Sequence, residues 1–222
     1  MQTHTETALP LVSQALLSEV PQHVILRGVS WETYERLLAD FQDSHAAHFA
    51  YDQGRLEIMV LSFKHETVNR TLATLVETIA EEIQVDILNA GSTTFKRADL
   101  SKGFEPDSCF YIQNAERVRG KDEIDLAVDP PPDLIIEIDI TSLSLNKFPI
   151  FAAIGIPEVW RYDGQAVTIF KLENGEYSVR EASVVLPGLT SQVLTRFLED
   201  SRSMKRSAWI RSVREWAQKR GD

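Results

Sequence analysis

Apolar and polar positions along the chain repeat with two different periods, and each change of period marks an element. From Ser62 to about residue 85, Val68, Leu72, Leu75, Val76, Ile79 and Ile83 recur at helical spacing, with Ser62 placed to cap the first turn. A shorter helix is predicted over 30–40, where Ser30 is the N-cap and Trp31, Tyr34, Leu37 and Leu38 share one side. Residues 48–51 and 55–61 read as strands joined by Asp52-Gln53-Gly54. Strand-like stretches follow at 92–96, 108–112 and 134–140, the last preceded by the stiff run Pro130-Pro131-Pro132. A helix over 144–154 stops at Gly155, with Pro157 just beyond. Three further strands, 158–162, 166–172 and 176–179, are turned by Asp163-Gly164-Gln165 and Asn174-Gly175. This order predicts an α/β (mixed α+β) architecture, a central mixed sheet flanked by helices, with an N-terminal hairpin and C-terminal helices added.

Composition narrows the classes. The 222 residues show no repeat, low-complexity stretch or linker, so 1–222 reads as a single domain. A net charge of −10 gives no support to a general nucleic-acid binder. One cysteine, Cys109, excludes an intrachain disulfide and a Cys-rich zinc site, and reads as a small buried hydrophobe. No apolar run reaches the ~20 residues of a membrane span, and the polar start from Met1 to Thr7 is unlike a signal peptide, so the expected location is cytoplasmic. Residues 201–222 reverse the charge, with seven Lys and Arg against Glu215 and Asp222. Trp209, Ile210, Val213 and Trp216 fall there at helical spacing, which predicts an amphipathic basic helix packed on the body. Phosphate contact and dimerisation are the competing uses of that helix.

The candidate chemistry concentrates in residues 133–140. Leu134, Ile136, Ile138 and Ile140 line one face of the strand, and Asp133, Ile135, Glu137 and Asp139 the other. Burying Glu137 and Asp139 together requires a cation, for which a divalent metal such as Mg2+ is the simplest choice. An edge strand with a solvated acidic face is the alternative. Glu105-Pro106-Asp107 leads into an earlier strand and can bring a second carboxylate to the same ion. Lys147 begins the following helix. Two carboxylates and a lysine make a workable metal-hydrolase set, the lysine steadying charge that develops on a phosphate.

Pro106-Asp107, Glu137, Lys147 and Gly155-Ile-Pro-Glu-Val-Trp-Arg-Tyr-Asp163 resemble the Uma-two putative endonuclease family, within the PD-(D/E)xK nuclease superfamily. Gly54-Arg-Leu-Glu-Ile-Met59, Ser62-Phe-Lys-His-Glu66 and Gly91-Ser-Thr-Thr-Phe-Lys96 resemble its upstream pattern, so the similarity spans about 54–163. The resemblance implies a restriction-endonuclease-like core over about 54–180, a helical extension over about 190–222, and Mg2+- or Mn2+-dependent hydrolysis of DNA by a homodimer. Asp107 matches the superfamily's metal-binding Asp, and Glu137 its second acid. Asp139 stands where the superfamily pattern has lysine, and Lys147 matches the lysine that the family carries on the next helix. Asp139 is then an extra metal ligand or an anchor for Lys147.

His65 falls on the apolar side of its helix whereas Glu66 lies off it, and histidine matches the family pattern at that place. His65 orients water or phosphate on this reading, or is a satisfied core residue on the plainer one. Glu57 is expected to be solvated. Trp160 and Tyr162 are expected to pack, with Arg161, Arg97 and Lys102 as candidate phosphate contacts. No Gly-rich phosphate loop or zinc spacing occurs. The competing function is a catalytically silent nuclease fold serving as a nucleic-acid-binding or regulatory interaction protein.

Overall fold

A computed structural model describes residues 22–41, 47–140 and 145–221. In chain order the elements begin with β1 (Gln22–Arg27), α1 (Trp31–Phe41), β2 (Ala47–Asp52), β3 (Arg55–Val60) and α2 (Phe63–Glu82). Four short strands follow, β4 (Leu88–Gly91), β5 (Phe95–Arg97), β6 (Lys102–Phe104) and β7 (Ser108–Tyr111). Next come α3 (Ala115–Val118), β8 (Leu134–Ile138), α4 (Phe148–Ile154), β9 (Glu158–Tyr162), β10 (Val167–Glu173) and β11 (Glu176–Arg180). Helices α5 (Ser191–Ser203) and α6 (Arg206–Gly221) close the chain.

The strands divide between two sheets. The first, in the order β1-β3-β2-β6-β5, is antiparallel throughout. The second runs β11-β10-β9-β8-β7-β4 and is mixed, because β8 and β9 are parallel. The expected hairpin is therefore the centre of a sheet of its own. Its turn matches the sequence, with Gln53 and Gly54 both at positive φ, as a tight hairpin requires.

Two strand expectations change. Of the strand expected over 92–96, residues 92–94 lie outside any strand and β5 begins at Phe95; Gly91, left-handed at φ 60°, ends the preceding β4. The Thr93 hydroxyl then donates to the Ala90 carbonyl, and the chain crosses to the first sheet as β5. The strand expected to reach 140 stops at Ile138. Helix α4 begins after Lys147; the part of the expected helix at residue 144 lies outside the described residues.

Each layer follows from its apolar stripe. Ser62 accepts the His65 N–H at 3.2 Å and starts α2, whose Val68, Leu72, Leu75, Val76 and Ile79 are buried as the sequence period requires. They pack with α5 and α6 against Leu134, Ile136 and Ile138 of the second sheet. The opposite face of that sheet, through Cys109, Tyr111, Ile135 and Val159, meets Ile150 and Phe151 of α4 and Ala50, Phe95 and Phe104 of the first sheet. Helix α1 covers the far face of the first sheet, where the Tyr34 and Tyr51 rings stack 4.9 Å apart. Gly103 gives that tyrosine room, since a Cβ there would lie 2.9 Å from Tyr34 Cε1.

The basic tail packs on the body. Trp209, Val213 and Ala217 are buried, and Trp209 Nε1 donates to the Phe197 carbonyl at 2.7 Å. Arg214 lies 3.1 Å from carboxylate oxygens of both Glu81 and Glu82, so positive charge meets the C-terminal end of α2.

Candidate active site

Strands β7 and β8 are antiparallel neighbours with Ser108 opposite Ile136, and one residue further along that register Asp107 faces Glu137. Asp107 is 3% exposed, and its Oδ2 accepts the Ile138 N–H at 2.7 Å, which ties it to the strand carrying Glu137. Lys147 occupies the N-cap position of α4, where its carbonyl accepts the first helical hydrogen bond. Its Nζ donates to Glu137 Oε2 at 2.6 Å. The structure thus brings together three residues from separate parts of the sequence.

Their charges are unequal. Burial favours the neutral form of Asp107, but the nearby His48 and His65, and the positive charge of Lys147, outweigh it and hold the carboxyl well below its usual range. Burial pushes Glu137 up to about 7; the Asp107 charge adds to this, and Lys147 opposes both. Burial likewise disfavours the charged form of Lys147, yet Glu137, Asp107 and Glu57 together raise it, so the ammonium stays protonated.

The shell around Asp107 contains both expected and unexpected members. His65 is buried, with Nε2 3.2 Å from Asp107 Oδ2, whereas the adjacent Glu66 points outward to Arg70. Burial lowers the His65 pKa, but Asp107 and Glu137 raise it more, so the net shift is upward. His48 was not singled out by sequence; its Nδ1 lies 3.5 Å from Asp107 Oδ1. Asn69, one helical turn beyond His65, donates to the Asp107 carbonyl at 2.8 Å and accepts from Ser108 Oγ at 2.8 Å. That spacing was the available signal for Asn69.

Glu57 corrects an expectation. It is 1% exposed rather than solvated, because β3 is interior to its sheet and residue 57 shares the inward face with Ala50 and Ile25. Its Oε1 accepts the Leu145 N–H at 3.0 Å, just before Lys147. The quoted Gly54-Arg-Leu-Glu pattern carried that signal.

The expected phosphate contacts are engaged elsewhere. Arg97 pairs with Asp99 at 2.6 Å, Lys102 with Asp52, and Arg161 lies over the Phe148 and Phe170 rings at 6.0 and 5.7 Å. Asp133 holds residues 112–114, accepting the Ile112 and Asn114 N–H groups at 2.7 and 3.0 Å. The Asp139 N–H donates to the Tyr162 carbonyl just beyond β8.

Two oxygens define what the site can hold. Asp107 Oδ1 and Glu137 Oε1 are buried without a hydrogen-bond partner, as is Glu57 Oε2. Unpartnered carboxylate oxygens are the donors that a hard divalent cation takes. Among the described residues, no group of three or more His, Cys, Asp and Glu is arranged to hold a metal ion. Two carboxylate oxygens are a small donor set, of the size used by a hard cation that keeps several waters. Asp107 opens onto a cleft of about 630 Å3, also lined by His48, Asn69, Val60, Phe63 and Arg70.

Residues 31–204 match the model of Uma2, described as "Putative restriction endonuclease". The chain belongs to the Uma2 family. The matched segment starts with α1, contains every residue of the site, and ends just past α5, so α6 lies outside the Uma2 match. Among solved structures, the chain is similar to a "putative nuclease" from Anabaena variabilis ATCC 29413, with a TM-score of 0.51 and 19% identity. That similarity covers 77% of this chain and 99% of the other, and at such identity it is a likeness of fold. The fold is restriction-endonuclease-like. No curated protein matches the chain. Among the described residues, no helix is long and apolar enough to cross a membrane.

Proposed function

We propose that this Uma2 protein is a cytoplasmic Mg2+- or Mn2+-dependent endonuclease that hydrolyses DNA phosphodiester bonds. The observation that carries the reading is the pair of buried carboxylate oxygens without a hydrogen bond, Asp107 Oδ1, 3.5 Å from His48 Nδ1, and Glu137 Oε1, beside the buried Lys147 ammonium. Asp107 and Glu137 would hold the ion, with Asp139 as a further candidate ligand. Bound there, a divalent cation supplies Lewis acidity to the scissile phosphate and to the attacking water. Lys147 is protonated, so it donates hydrogen bonds and charge to the phosphate oxygens and does not act as a base. His48 and His65 keep Asp107 ionised, and His65 orients the water or phosphate.

The test is cleavage of supercoiled plasmid, single-stranded DNA and RNA with Mg2+ or Mn2+, beside Asp107→Ala and Lys147→Ala. Cutting by the wild-type protein that both variants lose supports the assignment. Cutting that survives in both variants removes it from this site.

A second reading, a nuclease fold that binds without turnover, draws on the engagement of Arg97, Lys102 and Arg161 by other groups. Divalent-metal affinity that vanishes in Asp107→Ala separates the two, since the silent fold has no need of an ion there.

A further inference from the structure

Phe63, the first residue of α2, is 84% exposed. Solitary exposed apolar side chains are ordinary on protein surfaces, but this one stands on the lip of the cleft that contains Asp107. Val60, 44% exposed, lies beside it on the same lip. Charge on the cleft is unfavourable to a polyanion. Among the described residues lining it, the one permanently charged cation is Arg70, already 2.6 Å from Glu66, and Glu66 and Asp107 are both acidic. Lys147, deeper in the site, is matched by Glu137.

Duplex binding depends on several Lys or Arg at the phosphates, which this cleft does not supply. An exposed ring beside the cutting site supplies something different, a face on which an unpaired base can stack whatever its sequence. We infer that the substrate is nucleic acid with unpaired bases at the site of cutting, and that Phe63 is the stacking platform that holds it. The inference rests on the nuclease reading above and narrows it to a substrate class. Phe63 is here a residue that determines specificity and takes no part in the chemistry.

The experiment measures fluorescence anisotropy of labelled oligo-dT of ~20 nucleotides, and of a duplex of equal length, without divalent metal. The wild-type protein is compared with Phe63→Ala and Phe63→Trp. The expected result is tighter binding of oligo-dT than of duplex, weakened roughly 5- to 100-fold by Phe63→Ala and retained by Phe63→Trp. Equal binding of both probes, no binding of oligo-dT, or indifference to Phe63→Ala would overturn it. Thermal unfolding of Phe63→Ala at the wild-type temperature excludes misfolding as the cause of a loss. The two readings also fail separately. Plasmid cleavage that Phe63→Ala leaves intact and Asp107→Ala removes keeps the nuclease and discards the platform. Oligo-dT binding that depends on Phe63, without cleavage of any substrate, does the reverse.

Discussion

The Lys147 ammonium lies 2.6 Å from Glu137 Oε2, with 11% and 9% of the two side chains exposed. A lysine at the start of a helix opposes the helix dipole, so this one depends on the carboxylates facing it. Removing either partner leaves a buried group short of its nearest counter-charge, whereas removing both does not.

Lys147→Ala is therefore expected to lower unfolding stability by about 3–5 kcal/mol, and Glu137→Leu with Lys147→Met to recover most of that loss. Urea titrations of the metal-free proteins measure it. Additive losses in the double variant would show that the two groups do not form a stabilising unit.

His65 and Glu66 are adjacent in sequence and opposite in role. His65→Ala is expected to weaken Mn2+ binding by about 10- to 100-fold, because it removes a partner that orients Asp107. Glu66→Ala leaves affinity unchanged. Calorimetric titration of Mn2+ into each variant decides it, and equal affinities would remove His65 from the site.

The carboxyl of Glu137, raised to about 7 chiefly by burial, gives the pH dependence its sign. Protons compete with a cation for that carboxylate, so Mn2+ affinity is expected to rise with pH and level off above about 7. In the metal-free protein the same shift acts on stability. The folded-state value lies above the ordinary 4.5, so this contribution is complete below 4.5 and is lost as pH rises through about 7. Asp107, held below its ordinary value, acts oppositely, and its contribution is lost on acidification. Glu137→Gln should remove the first effect and spare the second; an unchanged stability profile between pH 5 and 8 would count against Glu137 as its source.

Trp209 fixes α6 to the body through its buried ring and its hydrogen bond to Phe197. Trp209→Ala is expected to lower stability by about 3–5 kcal/mol while leaving cleavage per folded molecule intact. Loss of cleavage at full stability would assign α6 a part in substrate binding.

Periodicity made the helices and hairpin legible, because each has one wet side and one dry side. Ser62, the α2 stripe and the inward turn of His65 all follow from angle alone. The turn after Gly91 was not legible, since nothing in the flanking apolar residues says that β4 and β5 join different sheets. Glu57 and His48 were read as members of a two-stranded hairpin, for which one face is open to water. Their burial depends on β1 and β6 widening that hairpin and on the second sheet closing over it. Such long-range pairing leaves no trace in local spacing. The structure brings Asp107, Glu137 and Lys147 close together, and strand alternation with the order of the motifs constrains those three more tightly.

The groups at the site come from both sheets, with His48 and Glu57 on the first and Asp107 and Glu137 at neighbouring strands of the second. Neither half alone surrounds the two carboxylates. A newly made chain that has formed only one sheet carries an incomplete site, and these contacts bridge distant parts of the sequence, which form slowly. On the proposed reading the site is complete only once the two sheets have docked, so that folding itself sets the moment at which these carboxylates can share one ion.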